Sequence, residues 1–262
     1  PSGPSSAEPP LIWQMIGRNE IAAYNVPSGI MFDMTREAAA KRPGVITKIG
    51  LDTFADPDNE GCAMTAKAKA APIVKKIEFE GDTWLYFPAI VPDVAIIRAT
   101  TADERGNLSY EQEAAYLGGI DQAMSAHNNG GIVIAQVKRI VKSGAIRTQD
   151  VRVPGILVDY MVEVPDQWQT TQTPHDPAIS GEEVKPLSSF ALMEFGVGKV
   201  IARRVAQELK PGWAVNLGFG VSANVPRIVL EEGKHGAVTW VIEQGPVGGV
   251  PMLEFLFGCS SN

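Results

Sequence analysis

Histidine and cysteine are scarce in this chain. Among 262 residues there are three histidines and two cysteines. His127, His175 and His235 stand far apart, so no metal centre is suggested. Cys62 and Cys259 show neither metal-ligand spacing nor a disulfide framework, which suits a reducing cytoplasm. A basic excess is missing too: 23 Lys and Arg face 30 Asp and Glu, for a net charge of −7. That argues against a general binder of nucleic acid or of an anionic membrane. No apolar run is long enough to span a bilayer. Pro1 to Pro10 lack the basic and apolar regions of a signal peptide; rich in Pro, Ser and Gly, they read as a disordered tail. There is no G-x-S-x-G elbow, which excludes the usual serine hydrolase. Gly218-Phe219-Gly220 opens no full G-x-G-x-x-G, because Ala223 stands where the third glycine belongs; the dinucleotide reading fails. The acid-rich window 50–63 (Asp52, Asp56, Asp58, Asn59, Glu60) lacks EF-hand offsets and reads as a solvated loop.

What is present is ordinary globular composition, 45% hydrophobic and 20% charged, enough for one large or two modest domains. Part of Leu11–Tyr24 and then 30–41 read as helices, separated by the turn Asn25–Gly29. Val45–Ile49 reads as a strand. Val74–Phe79 and Thr83–Phe87 flank Glu80-Gly81-Asp82 and predict a hairpin. Val94–Ala99 is a buried strand. Tyr110–His127 has helical spacing and stops at Asn128–Gly131, and Ile132–Val137 is the next strand. Strand, helix, strand is the unit of a parallel sheet. Lys138, Arg139 and Lys142 follow, either a solvated basic face or a contribution to binding phosphates. Gly155–Val162 reads as another buried strand. Residues 163–185, rich in Pro, Gln and Thr, are the best boundary in the chain. Beyond it a helix is predicted over Phe190–Leu209, a strand over Ala214–Leu217, a helix over Val225–Glu232 and a strand over Val238–Ile242.

This last strand leads into Glu243-Gln244-Gly245-Pro246-Val247-Gly248-Gly249. A carboxylate leaving a buried strand for a glycine-rich turn is held and partly desolvated, beside unshielded backbone N–H groups. Those are conditions for a carboxylate nucleophile. Equally, Glu243 reads as an ordinary polar residue ending a strand, and the glycines as tight turns.

The segment Glu243–Gly249 resembles the active-site segment of the family I coenzyme A transferases, in particular the propionate and acetate CoA-transferase branch. Asn216–Gly220, Gly131–Arg139, Val151–Asp159 and Arg98–Asp103 resemble further segments, in the family's order, and the likeness runs from about Tyr24 onward. The resemblance implies an α/β fold of two Rossmann-like, mainly parallel-sheet units. It implies movement of CoA from a short-chain acyl-CoA to a carboxylic acid, by a ping-pong route through a glutamyl-CoA thioester on Glu243. Asn216 would contact the reacting acyl or carboxylate group. Gly218, Gly220, Gly248 and Gly249 would let the substrate approach the backbone. Coenzyme A is then a substrate, no separate cofactor or metal is required, and a homo-oligomer is expected.

The expected division is a tail over 1–10, a first transferase domain over 11–175, a linker over 176–189 and the start of a second domain over 190–262. The family carries a Gln where Ser28 stands. Its opening glycine-rich segment and its downstream oxyanion glycine have no counterpart between Pro1 and Asn262. The expectation is therefore a fragment with both units incomplete, marginally stable and slow in transfer. A hydrolase on the same site, and an acyl-CoA-binding fragment or subunit that does not turn over, stay open beside the transferase.

Overall fold

The computed structural model describes residues 10–116, 118–170, 173–218, 220–242, 245–252 and 260–261. The chain divides into two units. The first takes the described residues of Pro1–Arg98, Ala102–Leu108 and Leu117–Glu163; the second takes those of Ala99–Thr101, Ser109–Tyr116 and Val164–Asn262.

In the first unit, helix α1 spans Pro10–Gly17 and α2 spans Ser28–Ala39. Helix α2 buries Ile30, Met34 and Ala38, an i, i+4, i+8 stripe. Strands β1 (Gly44–Thr47), β2 (Lys75–Phe79) and β3 (Asp82–Pro88) form an antiparallel sheet in the order β1-β3-β2, with the short helix α3 (Ala66–Lys69) between β1 and β2 in sequence. The β2–β3 hairpin closes through Glu80 (φ 53°) and Gly81 (φ 80°), a two-residue turn with both φ positive, as its sequence predicts. Leu85 and Phe87 from β3 join Ile30, Met34, Val74, Ala55 and Cys62 in one core.

Strands β4 (Val94–Asp103), β5 (Leu108–Ser109), β6 (Ile132–Val141) and β7 (Tyr160–Glu163) form a sheet in the order β5-β4-β6-β7, with β6 and β7 parallel. Helix α4 (Gly119–His127) precedes β6 and packs on α2. Arg36 reaches Asp121 at 3.0 Å, and the Asn128 and Asn129 amides donate to Ala39 O and Ala38 O. The chain passes Gly155 so tightly that a Cβ there would lie 2.0 Å from Arg105 O.

Three expected elements are shorter than their patterns imply. The helix expected from Tyr110 starts at Gly119, after Gly118 at φ 67°, a left-handed conformation no helix runs through. Residues 111–113 are held elsewhere: Gln112 N donates to Thr100 Oγ1 at 3.0 Å, Thr101 Oγ1 donates to Glu111, and the buried Gln167 and Gln169 amides donate to Ala99 O and Gln112 O. The strand expected over Gly155–Val162 is a 3-10 turn at Gly155–Leu157 followed by β7. That strand is largely exposed because, among the described strands, it ends the sheet order with β6 on one side. The fold is α/β as expected, but the mainly parallel pattern does not extend to the β1-β3-β2 sheet, which is built from local hairpin pairing.

The second unit gathers residues 164–189 together with those that follow, whereas the sequence suggests a first domain to 175 and a linker over 176–189. Its described residues are structured: Gln169 and Asp176 exchange hydrogen bonds, and Asp176 caps the short helix α5 (Pro177–Ser180). Helix α6 (Val197–Ala206) replaces the longer helix expected from Phe190. Glu231 accounts for the difference. Its carboxylate accepts from Met193 N and pairs with Lys199 at 2.8 Å, and Lys199 also donates to Met193 O, so the chain before α6 is tied down in a non-helical form. Strands β8 (Ala214–Leu217) and β9 (Thr239–Ile242) flank helix α7 (Val225–Glu231). Strands β10 (Val250–Pro251) and β11 (Ser260–Ser261) pair antiparallel. Trp240, Ile242, Leu217, Ile228, Val225 and Ala202 form the core of the unit.

Candidate active site

Strands β8 and β9 are parallel, with Val215 opposite Trp240, Asn216 opposite Val241 and Leu217 opposite Ile242. Helix α7 makes the crossover between them, as a parallel pair requires. Trp240, Ile242 and Leu217 turn to the core, so alternation puts Asn216 and Val241 on the opposite face. Asn216 is exposed there, and its side chain has no hydrogen-bond partner among the described residues. Both strands end at the same level. Gly218 follows one and Glu243 the other, and the crevice beyond the carboxyl ends of parallel strands is where open α/β sheets bind ligands. Glu243 and Gln244 lie outside the described residues.

The segments that leave the two strands are set by short-range bonds. Past β8, Ser222 Oγ donates to Gly218 O at 2.7 Å. Gly220, at φ 115°, opens the 3-10 turn Val221–Asn224 that leads into α7. Past β9, Gly245 N donates to Ile242 O at 2.8 Å, Ile242 N to Pro246 O at 2.9 Å and Gly248 N to Trp240 O at 2.8 Å. The chain thus folds back along β9, with Val247 bridged to Val241. Gly245, Gly248 and Gly249 have φ of 116°, 85° and 68°, so the local need for glycine is conformational. Among the described residues, a Cβ at Gly220, Gly245 or Gly248 would meet nothing within 4 Å. Asn216, Gly218, Gly220, Gly248 and Gly249 therefore belong to one parallel strand pair and its two exits.

Elsewhere the polar candidates are engaged in structure. Asp56, in the acid-rich window, is buried and accepts from Asp52 N, Asp58 N and Lys76 Nζ, each at 3.0 Å. Lys142 pairs with Glu104 at 2.6 Å. Cys62 is buried, and burial pushes its thiol up to about 11, which suppresses the thiolate. In the first unit, Ser28 lines a cavity of about 390 Å³ with Tyr24, Asn25, Met31 and Met34. Sequence reasoning passed over Ser222 and Arg227; the hydroxyl just after Gly218-Phe219-Gly220 was the one available signal for the first.

The coenzyme A transferase family model matches residues 5–164. The chain belongs to the coenzyme A transferase family. Over 251 residues it is 41% identical to the caffeate CoA-transferase of Acetobacterium woodii, covering 95% of this chain and 48% of that protein. It is 37% identical over 254 residues to the acetate CoA-transferase YdiF of Escherichia coli (strain K12), covering 97% and 48%. The crystal structure of the acyl-CoA transferase YdiF apoenzyme from E. coli O157:H7 superposes with a TM-score of 0.84 at 37% identity, covering 92% of this chain and 46% of that one. A YdiF thioester complex with CoA gives 0.84 at 36%, covering 96% and 50%. The chain thus spans about half the length of the relatives it matches, and its likeness to them reaches beyond residue 164 into the second unit.

Proposed function

We propose that this chain carries the nucleophile half of a CoA transfer site, with Glu243 forming the glutamyl-CoA thioester. The observation that carries the reading is the β8–β9 register, which ends both strands side by side at Leu217 and Ile242, the residues that Gly218 and Glu243 follow in sequence. The likeness to a YdiF structure described as a thioester complex with CoA supports it.

In this reading the ionised Glu243 attacks the thioester carbonyl of an acyl-CoA. The C–S bond breaks, leaving an acyl-glutamyl anhydride and CoA thiolate. The thiolate then attacks the glutamyl carbonyl, the first acid leaves as its carboxylate, and the enzyme holds CoA as a thioester. A second carboxylate runs the steps in reverse. One hard exchange between a carboxylate and a thioester becomes a series of easier ones. Each passes through an oxyanion, where a single well-placed donor is worth roughly 3–4 kcal/mol. Asn216, exposed on the face away from the core, supplies a side-chain amide at the strand end, and the backbone at Gly220 and Gly245, where a Cβ would meet none of the described residues, admits substrate.

The substrates are an acyl-CoA and a carboxylic acid, with short-chain acids the preferred class, and the working form is an oligomer of this chain in a reducing cytoplasm. No helix among the described residues is long and apolar enough to cross a membrane. The test is exchange of labelled acid into acyl-CoA, with initial rates measured at several fixed concentrations of the second substrate. Parallel reciprocal plots, and a loss on the order of a thousandfold or more in Glu243→Gln, are expected. Intersecting plots, or unchanged exchange by Glu243→Gln, would overturn the reading. Release of free CoA without an acceptor acid, at the rate of transfer, would identify a hydrolase instead.

A further inference from the structure

Arg227 is a half-buried cation of the second unit. It lies on α7, one turn before Glu231. Its Nε and Nη1 are buried and have no hydrogen-bond partner among the described residues. Glu231, the nearest acid by sequence, is committed to Lys199 at 2.8 Å and to Met193 N. Buried guanidinium nitrogens without an acceptor are costly, and such atoms in a native site call for an explanation. What lies beside it is a cavity of about 130 Å³. Lys185 and Ser189 line it together with Arg227; Phe190, Pro251 and Met252 supply apolar walls. Phe190 has Arg227 on its ring at 5.5 Å and Lys185 at 5.4 Å. Lys185 is partnered, with Asp176 at 3.7 Å, so the unmet demand is that of the guanidinium.

We infer that this cavity is a binding site for a small monocarboxylate, with the carboxylate on Arg227 and Lys185 and the carbon tail against Phe190, Pro251 and Met252. The pairing of cationic head with apolar wall selects the class: inorganic phosphate would satisfy the charges and leave the walls unused. The volume is that of about four waters, room for an acid of a few carbons. Burial lowers the Arg227 pKa while Glu231 acts to raise it, and a bound carboxylate would add to the raising. The site uses none of the residues assigned to transfer, although β10 supplies Pro251 shortly after Gly249.

The experiment titrates the chain with sodium propionate at constant ionic strength, balanced with sodium chloride, and follows the melting temperature. A saturable rise is expected with propionate and none with chloride. The rise should persist in Glu243→Gln, which separates this site from acid bound at the transfer site. Arg227→Met should abolish it, and Lys185→Met, in the cavity lining, should weaken the apparent affinity several-fold. If Arg227→Met does not fold, the Lys185→Met shift decides. An equal rise with chloride, a rise untouched in Arg227→Met and Lys185→Met, or one lost in Glu243→Gln would overturn the assignment.

Discussion

At the scale of the residue, Asp56 shows how a charge is absorbed into structure. Hydrogen bonds from Asp52 N and Asp58 N hold its carboxyl below the ordinary 3.8; burial opposes this, and Lys76 adds to the lowering. A depressed folded pKa contributes stability that is present above the ordinary carboxylate value and is lost as pH falls through the folded value. Asp56→Asn should therefore cost about 1–3 kcal/mol at neutral pH in urea unfolding. The gap to the parent chain should narrow as the pH drops below 3.8. A gap that stays constant down to the acid transition would contradict this account. The role was only half legible. Composition marks residues 50–63 as an acidic loop, but which carboxylate goes inside depends on Lys76, on the far side of the loop in sequence. Glu243 is the opposite case: its candidacy rests on local sequence and on a resemblance, both of which a reader of the chain has in hand.

Elements were legible where they are made locally. The β2–β3 hairpin is specified by Glu80-Gly81 and its flanking apolar residues, and α2 by its stripe. The failures share one cause. The apolar spacing over 110–118 and 190–196 is helical, yet residues 111–112 and Met193 are held by polar bonds to partners outside their stretches, the first to Thr100, Thr101 and Gln169, the second to Lys199 and Glu231. Periodicity carries no information about such bonds. The same limit applies to the faces of the second unit. Helix α6 leaves Val197, Ile201 and Val205 exposed on one stripe and turns Ala202 to the core, whereas α7 buries Ile228 completely. Ile228→Ala should thus cost roughly 2–5 kcal/mol in the unfolding of the second unit. Ile201→Ala, at 44% exposure, should cost well under half as much. Equal losses in chemical denaturation would mean that the stripe on α6 is covered in solution.

At the scale of the molecule, the α/β class and the family follow from patterns spread along the chain. The division into units follows from packing that composition only hints at: the sequence reads residues 163–185 as the best boundary and 176–189 as a linker, while Gln167 and Gln169 reach Ala99 O and Gln112 O, which belong to the second unit. The family model ends at residue 164, before the strand pair on which the proposed chemistry depends. The transfer reading therefore stands on β8, β9 and the residue that follows β9. Mixing the chain with an acyl-CoA in the absence of acceptor acid, followed by peptide mass mapping, tests it most directly. The prediction is a CoA adduct, or its borohydride-reduced product, on the peptide that carries Glu243, and no adduct in Glu243→Gln. An adduct on the peptide of Cys62 or Cys259, or one that survives in Glu243→Gln, would contradict the account.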